Sequence, residues 1–235
     1  MHLRGVRMII GIIGAMDEEI LLLKNRLANL ETINDKVFEI YRGEYGNKEV
    51  VVVKSGIGKV NAAIATSVLI NNMNAEAIIN TGIAGSINPS VTLGDVVISK
   101  DTQQYDVDVT AFGYDLGVIP RLKTSVFRAD PNLIDLCKNA VNEKIKYHIG
   151  RIVSGDRFVS SDEFKQLLIR EFDPYCVDME SASVGHVCYL YDIPYVAIRC
   201  ISDNADESSL VSNQDFETYT AEISAAITLD VIESM

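Results

Sequence analysis

The sequence predicts one α/β domain, and three observations carry that reading. Short apolar runs alternate with segments of helical spacing along the whole chain, the pattern of βαβ construction. The 235 residues are 48% hydrophobic, enough for a substantial core at a length that permits one or two domains. No linker, internal repeat, low-complexity tract or composition shift interrupts them, so residues 8–235 read as one domain. Residues 1–7 read as a leader or an alternative start.

Each element follows from its residues. Met8–Gly14 is a continuous apolar run and reads as a buried strand. Asp17–Leu30 reads as a helix, with Ile20, Leu23, Leu27 and Leu30 at helical spacing. Val37–Tyr45 and Glu49–Lys54 alternate like paired strands around a turn at Gly46-Asn47. Val60–Asn72 is an Ala-rich apolar helix. Ala77–Asn80 and Asp95–Ser99 are short buried strands, with Thr81–Gly85 as the loop between them. Pro131–Lys146 and Ser161–Phe172 read as helices flanking the strand His148–Val153. Ser181–Leu190 is a helix feeding the strand Ile193–Ile198, and Asp215–Ser234 closes the chain as a helix. Asp101–Leu122 is long and weakly periodic. Its Tyr105, Phe112 and Tyr114 argue for an ordered, contacting loop rather than a solvated excursion.

Composition excludes several classes. Asp and Glu number 33 against 21 Lys and Arg, a formal net charge of −12 that opposes a nucleic-acid partner. Cys137, Cys176, Cys188 and Cys200 form neither a CxxC pair nor the dense spacing of a secreted scaffold, and His2, His148 and His186 are scattered. Reduced thiols in a cytoplasmic protein and no structural metal are therefore expected. Arg4 and Arg7 ahead of Met8–Ala15 loosely resemble a signal peptide, but the apolar run is short and meets Asp17-Glu18-Glu19 at once, which favours a core strand. No apolar run reaches the roughly 18 residues of a membrane span, so no membrane partner is expected.

Singly, the motifs leave alternatives open. Asp203 lies just past the apolar strand Ile193–Ile198, and ligands of open α/β sheets sit at the carboxyl ends of such strands. A shielded carboxyl at such a place can donate a proton near neutral pH; one that only caps the following turn cannot be told apart from it here. Gly11–Ala15 lacks the G-x-G-x-x-G spacing, and Gly56-Ile-Gly58-Lys59 lacks the first glycine and the Lys-Ser/Thr ending of a P-loop. Both read as tight strand-to-helix turns. Asp17-Glu18-Glu19 complements a helix dipole, and three acids in a row leave one to face inward. Asp178 suits a helix cap. Glu180 beside Met179 suits a site where a carboxylate takes two neighbouring hydroxyls while a thioether lies on an apolar face. Phe158 reads as core or as a stacking platform.

Jointly the motifs are specific. Gly14-Ala-Met-Asp-Glu-Glu19, Lys54-Ser-Gly-Ile-Gly-Lys59, Asn80-Thr-Gly-Ile-Ala-Gly85, Asp108-Val-Thr-Ala-Phe-Gly-Tyr114, Ser154-Gly-Asp-Arg-Phe158, Val177-Asp-Met-Glu180 and Ile201-Ser-Asp-Asn-Ala-Asp206 occur in this order. The set resembles the methylthioadenosine/S-adenosylhomocysteine nucleosidases of the purine nucleoside phosphorylase superfamily, from Met8 to the final helix. The resemblance implies a three-layer α/β/α sandwich with a central mixed β-sheet, nucleoside phosphorylase/hydrolase-like, in a cytoplasmic homodimer. It implies hydrolysis of the N-glycosidic bond of 5′-methylthioadenosine, S-adenosylhomocysteine and 5′-deoxyadenosine, with water as acceptor and no cofactor. That chemistry belongs to methionine salvage and the removal of methyl-cycle products.

The resemblance also implies roles. Asp203 matches the acid that protonates adenine N7, and Glu19 the carboxylate that activates the water. Glu180 matches the ribose-diol ligand, Met179 the side chain against the sugar, Phe158 the ring stacked on adenine, and the backbone of Val159 the reader of its edge. Met16, Ile57, Phe112, Pro120 and Phe216 match the alkylthio pocket, with Phe112 and Pro120 supplied by the neighbouring subunit. Ser202 and Arg199, from the stretch that carries Asp203, join the substrate-binding set. Two positions depart from the pattern: Ile83 stands where a serine is common, in the shell around ribose and water, and Asp178 replaces a glutamate.

Two rivals differ in chemistry. A nucleoside phosphorylase would hold phosphate around the first and third glycine loops, where this chain offers Glu19, Asn80 and Ile83. A carboxylate repels a dianion, and an isoleucine side chain donates no hydrogen bond. A non-catalytic nucleoside-binding protein would not need Glu19, Glu180 and Asp203 together. Among hydrolase substrates, a deoxyfutalosine remains open.

Overall fold

The computed structural model describes residues 8–210 and 214–235; the expected leader, residues 1–7, lies outside them. The strands are β1 (Ile9–Gly14), β2 (Ala28–Asn34), β3 (Glu39–Tyr45), β4 (Lys48–Lys54), β5 (Ala77–Ser86), β6 (Val96–Gln104), β7 (Val126–Arg128), β8 (Tyr147–Ser154), β9 (Cys176–Asp178) and β10 (Tyr195–Asp203). The helices are α1 (Asp17–Arg26), α2 (Lys59–Asn71), α3 (Pro131–Ala140), α4 (Asp162–Phe172), α5 (Ser181–Tyr191) and α6 (Gln214–Ser234).

These strands form one mixed sheet in the order β10-β6-β8-β9-β5-β1-β4-β3-β2, with β7 against β6. β10 also pairs with β5, so β5, β10, β6, β8 and β9 close on themselves as a small barrel. β1 is parallel to both β4 and β5, and its residues are almost wholly buried, as a strand covered on both faces must be. On one face Ile12, Val50, Val52, Ile79 and Ile198 meet Ile20 and Leu23 of α1, Leu133 of α3, and Ala225 and Val231 of α6. On the other, Ile13, Val51, Val53 and Ile78 meet Ala62, Ala65 and Leu69 of α2 and Val184 of α5. The sheet with helices on both faces is the three-layer α/β/α arrangement. All four cysteines are buried and free. No helix among the described residues is long and apolar enough to cross a membrane.

The hairpin at Gly46-Asn47 forms as read: Tyr45 pairs with Lys48, and Gly46 takes φ +58°, which glycine adopts without steric cost. Four segments differ from the sequence reading. The first helix ends at Arg26; Asn29 turns at φ +53°, and Leu30 sits exposed in β2, whose pairing with β3 overrides the helical spacing. Thr81–Gly85 is no loop: it continues β5, register-paired from Thr81↔Ile198 to Gly85↔Asp203. The third helix stops at Ala140, because Asn142 accepts the Lys144 amide at 2.9 Å and its carbonyl takes Ile145 N–H at 2.8 Å, a turn that replaces the last helical bonds. β6 runs to Gln104, so the long loop begins at Tyr105. The short strands β7 and β9 escape a pattern-based reading altogether.

The long loop is locally built. Asp108 Oδ1 accepts Thr110 N–H at 3.0 Å and the Thr110 hydroxyl at 2.7 Å, opening a 3₁₀ turn at Thr110–Phe112. Tyr105 is buried, but Phe112 is 82% exposed and Tyr114 40% exposed. Of these three aromatics Tyr105 is the one buried in this chain's core.

Candidate active site

Segments from along the whole chain converge on a cavity of about 500 Å³. The start of α1 contributes Ala15, Met16 and Glu19; the turn before α2, Ile57; and the end of β5, Ile83, Ala84 and Gly85. Phe158 follows β8, and Val177, Asp178, Met179 and Glu180 span the β9–α5 junction. The end of β10 and its sequel supply Ser202, Asp203, Asn204 and Ser209, and α6 supplies Phe216 and Glu217.

Glu19 occupies the third position of α1 and turns back onto its own N-terminus. Oε2 accepts Ala15 N–H at 2.6 Å and Met16 N–H at 3.1 Å, while Oε1 accepts Ile83 N–H at 3.0 Å. The first two are amides at the helix start with no partner inside the helix, so a carboxylate suits them; the third comes from β5. Only glycine fits at position 82, where φ is +158° and a Cβ would fall on the Glu19 carboxyl. Burial pushes the Glu19 carboxyl up, and Arg199 with the three amides pulls it part of the way back.

Glu180 stands at the N-cap position of α5, and its Oε1, instead of capping that helix, accepts Gly58 N–H at 2.8 Å. Burial first, then the neighbouring Asp178, push its carboxyl up to about 8 against the partial relief from Arg199. Asp178 lies beneath: it accepts the hydroxyls of Ser154 and Ser181, the amides of Glu180 and Ser181 at 3.3 Å, and Arg199 Nε at 2.8 Å. Asp178 is therefore a cap and an ion-pair partner at once. A shorter acid suffices here, since five donors already surround it.

Asp203 ends β10. Its Oδ1 accepts Ala205 N–H at 2.8 Å and the Ser209 hydroxyl at 3.0 Å, the turn-capping arrangement that the sequence left open. Its Oδ2 takes the Ser202 hydroxyl at 3.0 Å, and the side chain borders the cavity.

The structure thus brings Asp203, Glu19, Glu180, Met179, Phe158, Ile83, Met16, Ile57, Phe216 and Ser202 to one cavity. Val159 follows Phe158 with its side chain buried in the core beside Leu168 and Phe172. Phe112 and Pro120 do not line this cavity. Arg199 needs correction as a substrate-binding residue. It is buried behind the wall, and it donates to Asp178, to Asn80 Oδ1 at 2.7 Å, to Asn80 O at 3.2 Å and to Ile198 O at 3.3 Å. It does not line the cavity, and it supplies charge from below. Sequence reasoning missed Leu93, Asn204, Ser209 and Glu217, which sit on irregular segments or a helix face without a motif. Among the described residues no group of three or more His, Cys, Asp or Glu is placed to hold a metal ion.

A model of the phosphorylase superfamily matches residues 9–233. A 5′-methylthioadenosine/S-adenosylhomocysteine nucleosidase of Staphylococcus haemolyticus is 39% identical over 226 residues, which covers 95% of this chain and 99% of the relative. The chain belongs to the 5′-methylthioadenosine/S-adenosylhomocysteine nucleosidase family. A crystal structure of the nucleosidase from Neisseria meningitidis in complex with methylthio-immucillin-A superposes with a TM-score of 0.93 at 40% identity, covering 97% of this chain and 99% of that one. A futalosine hydrolase of Helicobacter pylori superposes with a TM-score of 0.92 at 35% identity, over 97% of this chain and 98% of that one. The expected fold and family both stand on these likenesses.

Proposed function

We propose that this nucleosidase-family chain hydrolyses the N-glycosidic bond of 5′-methylthioadenosine, S-adenosylhomocysteine and 5′-deoxyadenosine, releasing adenine and the 5-substituted ribose. The observation that carries the reading is the gathering of Glu19, Glu180 and Asp203 around one largely apolar cavity. Adenine leaves poorly as an anion, so Asp203 protonates N7 as the bond breaks. A well-placed general acid contributes about 10²–10⁴-fold, or roughly 3–5 kcal/mol of barrier. The sugar becomes oxocarbenium-like, and a water that gives its proton to Glu19 adds from the other face, the two-carboxylate logic of inverting glycosidases. Burial strengthens Glu19 as a base, and its three amide contacts hold it in one orientation.

In this reading Glu180 takes the ribose hydroxyls, Met179 lies against the sugar, Phe158 stacks on adenine, and the backbone of Val159 reads the base edge. Met16, Ile57 and Phe216 receive the 5′ substituent. Phe112 and Pro120 of the partner subunit complete that pocket in a homodimer, which gives the exposed Phe112 ring a place to bury. The reaction uses water and no cofactor. Residues 8–235 act as one domain in the cytoplasm, in methionine salvage and methyl-product removal.

Purified protein is expected to release adenine from methylthioadenosine in phosphate-free buffer, followed by a coupled adenine assay. Strict phosphate dependence, with ribose 1-phosphate as product, would replace hydrolysis by phosphorolysis. The likeness to a futalosine hydrolase supports a second substrate class, so a deoxyfutalosine arm belongs in the same assay.

A further inference from the structure

Lys59, the first residue of α2, is the meeting point of three segments: the end of β6, the long aromatic loop and the loop that carries Phe158. Its Nζ lies 2.5 Å from Asp106 Oδ1, in the long aromatic loop, and 3.0 Å from Gln104 Oε1 at the end of β6. Its amide donates to Asp156 Oδ1 at 2.8 Å, in the loop that carries Phe158. The circuit closes where Asp156 N–H donates to Asp106 Oδ2 at 3.0 Å, across 50 positions of sequence. Behind it, Gly58 N–H holds Glu180 at 2.8 Å, and the Ser183 hydroxyl holds Lys59 O at 2.6 Å.

Both loops need such a tie. Phe158 is 54% exposed and Phe112 82% exposed, so neither ring anchors its own loop by burial. The side chains of Lys59 and Asp106 are 19% and 28% exposed, shielded enough that solvent screens the pair only in part. Tyr105 adds a second link, its hydroxyl donating to Arg157 O at 2.7 Å, so losing the lysine would loosen the loops without detaching them.

We propose that Lys59 is a positioning residue: it latches the Asp106 loop and the Asp156 loop to the start of α2, and so holds Phe158 at this chain's cavity and the Phe112 loop towards the partner's. The proposal rests on the nucleoside reading for its consequence but not for its geometry. Displacement of a binding platform by about 1 Å is enough to weaken productive binding.

Hydrogen exchange on the unliganded full chain tests the latch without any turnover. In Lys59→Met and in Asp106→Asn, amides of residues 105–113 and 155–161 should exchange about tenfold faster together, while β1 and β5 keep their protection. Lys59→Arg should restore most of it. With methylthioadenosine, Lys59→Met should raise KM about five- to tenfold and leave kcat within about twofold. A change in only one segment, or in neither, overturns the latch, as does faster exchange spread through β1 and β5 in both variants. A fall in kcat at unchanged KM overturns the positioning role.

Discussion

Two carboxyls carry opposite demands at the scale of single residues. Asp203 is the proposed proton donor, so Asp203→Asn should lower kcat for adenine release by about 10²–10⁴-fold while a non-hydrolysable nucleoside analogue still binds. Near-normal turnover would remove this side chain from the proton transfer. Glu180 is held in a place that disfavours its charge. Its folded-state pKa is raised, from an ordinary 4.5 to about 8, by burial and by Asp178. A raised pKa means the folded chain binds that proton more tightly than the unfolded one. The associated stability is complete below about pH 4.5 and drains away as pH climbs towards 8. Glu180→Gln keeps the acceptor for Gly58 N–H and removes the titration. The unliganded variant should therefore melt about 2–8 °C above the parent at pH 8.5 and converge with it at pH 5, on a scale of about 2–4 °C per kcal/mol for a chain of this size. The same variant should lose ribose binding. Equal melting curves at both pH values would mean that the site does not strain this carboxyl.

Helix ends show which elements depend on single side chains. α3 starts with Asp130 as its cap, accepting Asn132 N–H at 2.9 Å and Leu133 N–H at 3.0 Å, with Pro131 in the first turn. Asp130→Ala should cost about 1 kcal/mol, seen as a Tm lowered by about 2–4 °C with kcat/KM unchanged. Elements of this kind were readable in advance: the start of α3 at Pro131, the Ala-rich apolar run of α2, the span of α4 and the Gly46-Asn47 hairpin each rest on local chemistry. Elements defined by partners were not. β9 has three residues and exists because β5 and β8 flank it. The Thr81–Gly85 stretch looks like a turn from its glycines, yet pairing with β10 makes it a strand. The site followed the same division. Glu19, Glu180 and Asp203 stood out at element ends, whereas Ser209 holds no pattern of its own and Asn204 was passed over inside the Asp203 motif. Arg199 joined the binding set by its place in the Asp203 stretch, while its partners Asp178 and Asn80 lie 21 and 119 positions away.

For the molecule as a whole, the proposed exchange of loops between subunits has a decisive test. A protomer bearing Asp203→Asn keeps its Phe112, and one bearing Phe112→Ala keeps its Asp203. Mixed and refolded together, the two weak variants should regain about half the activity per heterodimer, because one of its two sites is then whole. If Phe112 serves its own subunit, mixing restores nothing. The net charge of −12 gives two such copies a long-range repulsion, so dimer affinity should tighten as salt rises to about 0.15 M, measured by sedimentation.

The four thiols have a practical corollary. Cys137, Cys176, Cys188 and Cys200 are wholly shut off from solvent, and burial holds each of them far from the reactive thiolate. An alkylating dye added to the native protein meets nothing to react with, so every label that appears records a molecule that has opened. The unaltered chain thus carries its own stopwatch for unfolding, spread over a helix on each face and two strands of the closed barrel.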